Sequence, residues 1–463
     1  MAIDTENPEY IKYKDKWELI NNIVDQELLE QYLITLNPLD VSEENTERNK
    51  AYKERAVFYA LTNQTVVGML GVIFDKKPEY VSSDIMSYLS VNVDGRGNSL
   101  LQQAQVVTKN VLSISRDALY VSYPITQGEV SKADINQGLA VATIQHITAD
   151  RVINWAEETT GAQTKLSLVV FKDNQTELVD YEHKEIETIR ELFLDEGIYK
   201  ERIWTKPEDE WAVYSESMPT DKNGIPLKEI PFQFIGSVNN DVAVDNPNMF
   251  AMSKLNVAHY RNSADYEDNL WYVGQSQPWM SGVNQSHVDL MKKNNMYIGS
   301  REMLAVPDGG NFGFESADPN PGVRQGMTDK VEMMVGLGAL MITPGGVAKT
   351  AEQSYGEREA KHSTMTLVVD NVSNAYTQAL KWVELFMIGS ESDDSIYKIN
   401  GDFIKAGTSP QELKEMIAGF MQGAIPVGDF VQYMKDSGKF DEDKSNEDYI
   451  EEIQLTSMPE LDQ

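Results

Sequence analysis

The chain has 463 residues, no cysteine, and a formal net charge of −33 from 40 basic and 73 acidic side chains. The missing thiols exclude disulfides, thiolate metal sites and a cysteine nucleophile. So large an acidic surplus disfavours broad contact with nucleic acid or anionic lipid unless basic groups are gathered locally. No basic-then-apolar leader and no apolar run of ~18 residues occurs, so the expectation is a cytoplasmic-type soluble protein without a membrane partner.

Residues 9 to 36 carry Trp17, Ile20, Ile23, Val24, Leu28 and Leu33 at helical spacing, and 47 to 70 follow the same pattern. The turn "VNVDGRGNSL" (91 to 100) places Asn98 or Ser99 to cap a helix over 100 to 115. The runs "ALYVSYPI", "TKLSLVVFKD", "KERIWTK" and "EWAVYSE" predict strands between 118 and 216. "YEHKEIETIRELF", with His183, Glu185 and Glu187, reads as a charged, solvated helix face. "NGIPLKEIPFQFIG" (223 to 236) is broken by proline and extended. A helix rich in small polar groups, "LNVAHYRNSADYEDNLWYVG", ends near Gly274. Short β runs fill 279 to 325, a second helical stretch covers 325 to 342, and "TPGGVAKT" leads into a helix from Ala351 to Gly389. At 1.5 Å per residue that helix is about 50 Å long, which points to an extended or assembled architecture. The tail from 401 holds fourteen acidic residues against five lysines and reads as helical. The fold class expected is α+β, mainly helical.

Several chemical motifs fail on inspection. "TPGGVAKT" lacks the spacing of a phosphate loop, and "DGRGNS" lacks the third glycine and following βα unit of a dinucleotide fold. Asp441, Asp443, Ser445, Glu447 and Glu452 fall at EF-hand positions. Asn446 stands where that loop needs glycine, and Asp448 where it needs an apolar residue, so an acidic helix capped by Ser445 is the plainer reading. The five histidines show no metal-ligand spacing, and no GxSxG or HExxH is present. No cofactor, metal site or catalytic residue is therefore assigned. An acidic hydrolase using paired carboxylates remains the rival class, and a ring scaffold without DNA is a third.

Five segments in order carry a resemblance: "LTNQTVVGMLGVIFDKKP" (61 to 78), "VDGRGNSL" (93 to 100), "LNVAHYRNSADYEDNL" (255 to 270), "GALMITPGG" (338 to 346) and "KTAEQSYGEREAKHSTM" (349 to 365). Across roughly 48 to 440 the chain resembles the portal proteins of tailed bacteriophages, in a subfamily with the AHYRNSADYEDNL-type helix. The resemblance implies a ring of about twelve copies around a DNA channel, built from an α/β wing, helical stem, small β-containing clip and helical crown. The implied parts are a wing over 1–250, stem helices over 251–271 and 326–341, and a clip over 272–325. A tunnel loop over 342–350, a long wing helix over 351–389, and a crown with acidic tail over 390–463 complete them. It also implies double-stranded DNA as a weak, non-specific partner, with terminase large subunit, head-tail adaptor and major capsid protein docking on the ring. The location implied is one capsid vertex of the virion, with the host cytoplasm during assembly.

Within that frame, Pro344, Gly345, Gly346 and Lys349 would form the tunnel loop, with Lys330 and Arg324 as further DNA-facing cations. On the polar helix, Val257, Tyr260, Ala264 and Trp271 share one stripe, and Asn262, Asp265, Tyr266 and Asn269 share another, with His259 beside it. A stem helix in a ring has neighbours on both sides. Val257, Tyr260, Asn262, Asp265 and Trp271 are accordingly expected at subunit contacts, the small polar groups satisfying neighbouring chains.

Overall fold

The computed structural model describes residues 2–124, 140–207, 210–274, 276–293, 306, 308–315, 320–337, 351–391, 394–401, 425–436 and 445, of which 351–364 and a few single positions by their backbone alone. The fold is α+β, 43% helical against 24% strand, so helix predominates.

Helix α1 (Pro8–Asp25) starts at Asn7, whose side chain accepts from the Glu9 amide at 2.9 Å, with proline in the first turn. It ends earlier than the periodicity suggests. Gln26 and Leu28 take left-handed backbone, Leu28 is exposed, and only a short 3-10 turn (Leu29–Tyr32) follows. The stretch expected as one helix over 47 to 70 is two, α2 (Glu43–Arg55) and α3 (Leu61–Ile73), divided by residues 56–60. After β1 (Glu79–Val81) and a 3-10 segment (Asp84–Ser90), α4 (Leu100–Ile114) opens on a full capping box. Ser99 accepts from the Gln102 amide, and the Gln102 side chain accepts from the Ser99 amide.

The strands then run β2 (Arg116–Ser122), β3 (Thr143–Thr148), β4 (Val152–Thr160), β5 (Gln163–Lys172), β6 (Gln175–Val179), β7 (Glu182–Ile186), β8 (Thr188–Asp195), β9 (Ile198–Thr205), β10 (Ala212–Ser217) and β11 (Phe232–Gly236). They build a five-stranded antiparallel sheet, β10-β9-β8-β5-β4, and a three-stranded one, β11-β2-β3. The charged segment around His183, Glu185 and Glu187 is not a helix. It forms β7 and the approach to β8, with a tight turn at Asp180 and Tyr181, both at positive φ. Cross-strand pairing overrides local helix preference here, and an exposed ribbon solvates the charges as well as a helix would.

Alternation along β2 explains the layering. Tyr120 reaches across to Phe171 of β5, and Arg116 lies over Phe234 of β11 and Trp155 of β4, so this face meets the five-stranded sheet. Asp117, on the opposite face, takes a hydrogen bond from Asn110 of α4. The remaining elements are α5 (Phe250–Val273), β12 (Gln277–Met280), α6 (Gln285–Lys293), β13 (Phe312–Glu315), α7 (Pro321–Gly336), α8 (Ala351–Met387), β14 (Ile396–Lys398) and α9 (Val427–Asp436). Val368, Val369, Val372, Ala375, Tyr376, Ala379, Leu380 and Val383 of α8 are all buried in the main core, which α8 shares with α4 and the β2 sheet. Helices, the three-stranded sheet and the five-stranded sheet therefore stack as three layers.

Candidate functional site

The polar helix α5 and its partner α7 are the place to look, because their residues are the least explained by a core. Helix α5 is buried at its start, through Met252, Asn256, Val257, His259, Tyr260, Ser263 and Ala264, and exposed at its end, where Trp271 and Tyr272 stand 46% and 58% accessible. Gly274 follows the last turn, and a Cβ there would lie 2.7 Å from the Leu270 carbonyl oxygen. Helix α7 begins at Pro321, ahead of the 325 or 326 expected. Asn320 caps it by accepting from the Gly322 amide at 3.0 Å, and proline occupies the first turn.

The two helices pack antiparallel. Asn269, late on α5, accepts from the Asn320 amide at the start of α7. One level along, a Cβ on Gly326 would sit 3.1 Å from Asn262 Nδ2, so glycine allows the close approach. Further along, His259 feels the Lys330 ammonium. The ribbon β12–β13 closes the exposed end of the pair, with Trp279 and Phe314 also open to solvent.

The small polar groups of α5 find partners inside the chain. Asn256 is fully buried; its Oδ1 accepts from Thr62 N (3.1 Å) and Thr62 Oγ1 (2.9 Å), and its Nδ2 donates to Tyr59 O (2.8 Å). It thus caps α3, whose own N-cap residue, Ala60, has no side-chain acceptor. Ser263 accepts from the Val57 amide at 2.9 Å. These two anchors hold residues 56–60 out of helix, with a turn at Ala60 where the Leu61 amide donates to the Tyr59 carbonyl at 2.8 Å, which is why one helical pattern becomes two helices. Asp265 accepts from the Tyr52 hydroxyl at 2.7 Å, and burial together with that carboxylate pushes the Tyr52 pKa well above its ordinary value. Asp268 takes Arg48 at 2.7 Å and Arg55 at 3.0 Å, and the Arg261 guanidinium donates to the Tyr32 carbonyl at 2.7 Å.

Of the residues singled out at subunit contacts, Val257 and Tyr260 are covered within the protomer. Tyr260 packs with Leu33, Tyr52 and Ala264 and meets Phe58 edge-on at 5.3 Å. Asp265 is engaged by Tyr52, and Asn262 lies against Gly326. Trp271 keeps a free face, its other side stacked by the Arg55 guanidinium at 4.0 Å. Among the cations, Lys330 donates to the Gly326 carbonyl at 3.2 Å, and Arg324 is exposed with no carboxylate partner among the described residues. Pro344, Gly345, Gly346 and Lys349 lie outside the described residues, as do 402–424 and nearly all of the acidic tail, including the EF-hand-like positions other than Ser445.

Sequence reasoning marked Asn256 and His259 as polar groups of this helix but not what they meet inside the chain, and it missed Ser263. His259 is buried, its ring centroid 5.9 Å from that of Tyr59 and its Nδ1 without a hydrogen-bond partner among the described residues. Burial lowers its pKa, and Lys330 lowers it further. The only available signal was helical spacing of 256, 259 and 263, which does not reveal what lies opposite.

Titratable clusters elsewhere sit between layers. Asp117 is buried against His146 Nε2 at 2.8 Å. Burial opposes the imidazolium, but the Asp117 charge and hydrogen bond outweigh it and raise the His146 pKa. Arg190 bridges Asp173 and Glu201, and Glu201 also accepts from Tyr120. A groove of about 360 Å³ near Trp211 brings Asp4, Glu6 and Glu187 beside Lys172 and Lys206, and contains none of the candidate residues.

Residues 248–387 match a family model described as a domain of unknown function, DUF4055. The matched span opens just ahead of α5 and closes on the last residue of α8. No curated protein matches the chain. Among solved structures it is similar to a chain from the neck of an empty GTA particle computed with C6 symmetry, at 11% identity and a TM-score of 0.37, over 81% of this chain and 86% of that one.

Proposed function

We propose that this chain is a head-tail connector of the portal type, a ring subunit at one capsid vertex through which DNA enters during packaging and leaves during ejection. The observation that carries the reading is the antiparallel α5–α7 pair. It is anchored in the α/β body at one end, is exposed and closed by a β ribbon at the other, and is followed in the chain by a Gly-Gly segment and the long α8. That order matches what the sequence resemblance implies for stem, clip, tunnel loop and wing helix.

The physical logic is a conduit that must not grip. Each phosphate neutralised by a cation adds counterion-release affinity, so a channel dense in lysine would pin the duplex. The −33 charge of each copy keeps the wall repulsive, and a few cations supply weak, salt-screened contacts over about 8–10 Å. Lys349, three residues after the permissive Gly345 and Gly346 pair, is assigned that role, with Arg324 and Lys330 on α7. Trp271 and Asn262 are assigned to contacts between about twelve copies, and the ribbon end to terminase and then to the head-tail adaptor, with major capsid protein around the ring. The chain itself carries no catalytic role; nucleotide hydrolysis belongs to the docked motor.

The deciding measurement is the mass and shape of the purified protein. A closed ring of about twelve 52.1 kDa chains with a central opening is expected in sedimentation and negative stain. A monomer or dimer at all concentrations overturns the reading. Lys349→Glu should then leave the ring intact and lower DNA retention in filled heads. Wild-type retention in that variant, and in one with both loop glycines replaced by valine, would leave a ring scaffold without DNA.

A further inference from the structure

The C-terminal end of α8 is capped by a turn far away in sequence. The last carbonyls of a helix have no partner within it and carry its negative dipole end. Here residues 221–225 supply the donors. Lys222 N donates to Leu385 O at 3.1 Å, Lys222 Nζ to Met387 O at 2.8 Å, and Asn223 Nδ2 to Gly389 O at 3.0 Å. Gly389 is at φ +89°, and a Cβ there would come within 2.4 Å of Asn223 Nδ2. The turn is itself tightly bonded. Asp221 Oδ1 accepts from the Asn223 and Ile225 amides, both at 2.8 Å, and Gly224 N donates to Asp221 O at 3.0 Å.

Asn223 is exposed and is followed by Gly224, which has no Cβ to shield its backbone nitrogen. We propose that Asn223 is a deamidation site whose reaction is gated by the contact of this turn with α8. In the reaction, Gly224 N loses its proton to hydroxide and attacks Asn223 Cγ. The new C–N bond closes a succinimide, and the side-chain nitrogen leaves as ammonia after taking a proton from water. A second water opens the ring to aspartate or isoaspartate, so water is the only co-reactant. In the folded chain the attacking nitrogen is tied to Asp221 O and the leaving amide to Gly389 O. The turn must therefore come away from α8 before the ring can close.

The product cannot restore the cap. A carboxylate at 223 has no proton to give to Gly389 O and places negative charge at the negative end of α8. An isoaspartate also lengthens the main chain within a turn held by four hydrogen bonds of its own, the fourth from Asp221 N to Ile225 O. The last turn of α8 then frays, and the change is irreversible.

Peptide mapping of the full chain, held at mildly alkaline pH folded or in urea, tests the gate by the amide-to-acid mass change at 223. Conversion should be readily seen in urea. It should be on the order of tenfold or more slower when folded, because opening breaks several hydrogen bonds of modest net strength. Lys222→Ala, an exposed change that removes one anchor to α8, should speed only the folded-state conversion. Hydrogen exchange over 384–389 should quicken more in Asn223→Asp, which adds a negative charge, than in Asn223→Ser, which only removes the amide donor. No conversion in urea means that 223 is not a deamidation site. Equal folded and urea rates, or a folded rate untouched by Lys222→Ala, remove the gate. Unchanged exchange in Asn223→Asp removes the consequence for α8.

Discussion

Replacing Asn256 with alanine tests whether α5 is held by polar capping or by apolar packing alone. The wild-type side chain is fully buried and serves three groups, the Thr62 amide, the Thr62 hydroxyl and the Tyr59 carbonyl, at 3.1, 2.9 and 2.8 Å. Thr62 is also fully buried, so water cannot replace the lost acceptor without rearrangement. The hydroxyl can rotate to another acceptor and the Tyr59 carbonyl keeps the Leu61 amide at 2.8 Å, which leaves the Thr62 amide stranded. A stranded buried group costs about 1–3 kcal/mol, and loss of a helix cap about 0.5–2 kcal/mol by an overlapping route. The cost expected for Asn256→Ala is about 1–3 kcal/mol. Asn269→Ala is the matched control, since Asn269 makes a single exposed bond to the Asn320 amide, and should cost about 0.5 kcal/mol or less. Urea midpoints of both variants, followed by circular dichroism at one protein concentration, give the comparison. If Asn256→Ala falls within about 0.5 kcal/mol of wild type, α3 does not depend on this cap and the account of the 56–60 break is wrong.

His259 should make stability fall in mild acid. Its folded pKa lies below the unfolded value of about 6.5, so the unfolded chain binds more protons. The contribution is complete above about pH 6.5 and is lost as pH falls from there through the lower folded pKa. The difference between wild type and His259→Gln should therefore change with pH in this window. A pH-independent difference refutes it, and His146, whose pKa is raised and whose slope has the opposite sign, is common to both proteins. Gly326→Val should push α7 off α5 at Asn262, and Asn262→Ala should relieve it. A double-mutant coupling below about 0.5 kcal/mol would show that the two helices do not meet there. Trp271→Ala should change the protomer little, because the ring is half exposed, yet weaken the sedimenting ring; an unchanged assembled peak places Trp271 away from any subunit contact.

Local chemistry determined a good part of the fold from the sequence alone. The Ser99–Gln102 capping box, the strand runs around Val169 and Trp204, the stop at Gly274 and the long helix reaching Met387 each depend on residues within a few positions of one another. The mainly helical α+β class follows from the same periodicities. Tertiary structure decided the rest, because the deciding partners are remote. Residues 56–60 read as helix until Asn256 and Ser263 take their backbone groups from some two hundred positions away. The segment around His183 reads as helix until a strand partner competes for its hydrogen bonds. The many small polar groups of α5 suggested contacts with neighbouring subunits. Asn256, Ser263, Asp265 and Asp268 instead answer amides, a hydroxyl and guanidinium groups of α2 and α3 and the segment between them. A polar side chain states in sequence that it needs a partner, but which donor it receives is set by the packing of elements that no local pattern encodes.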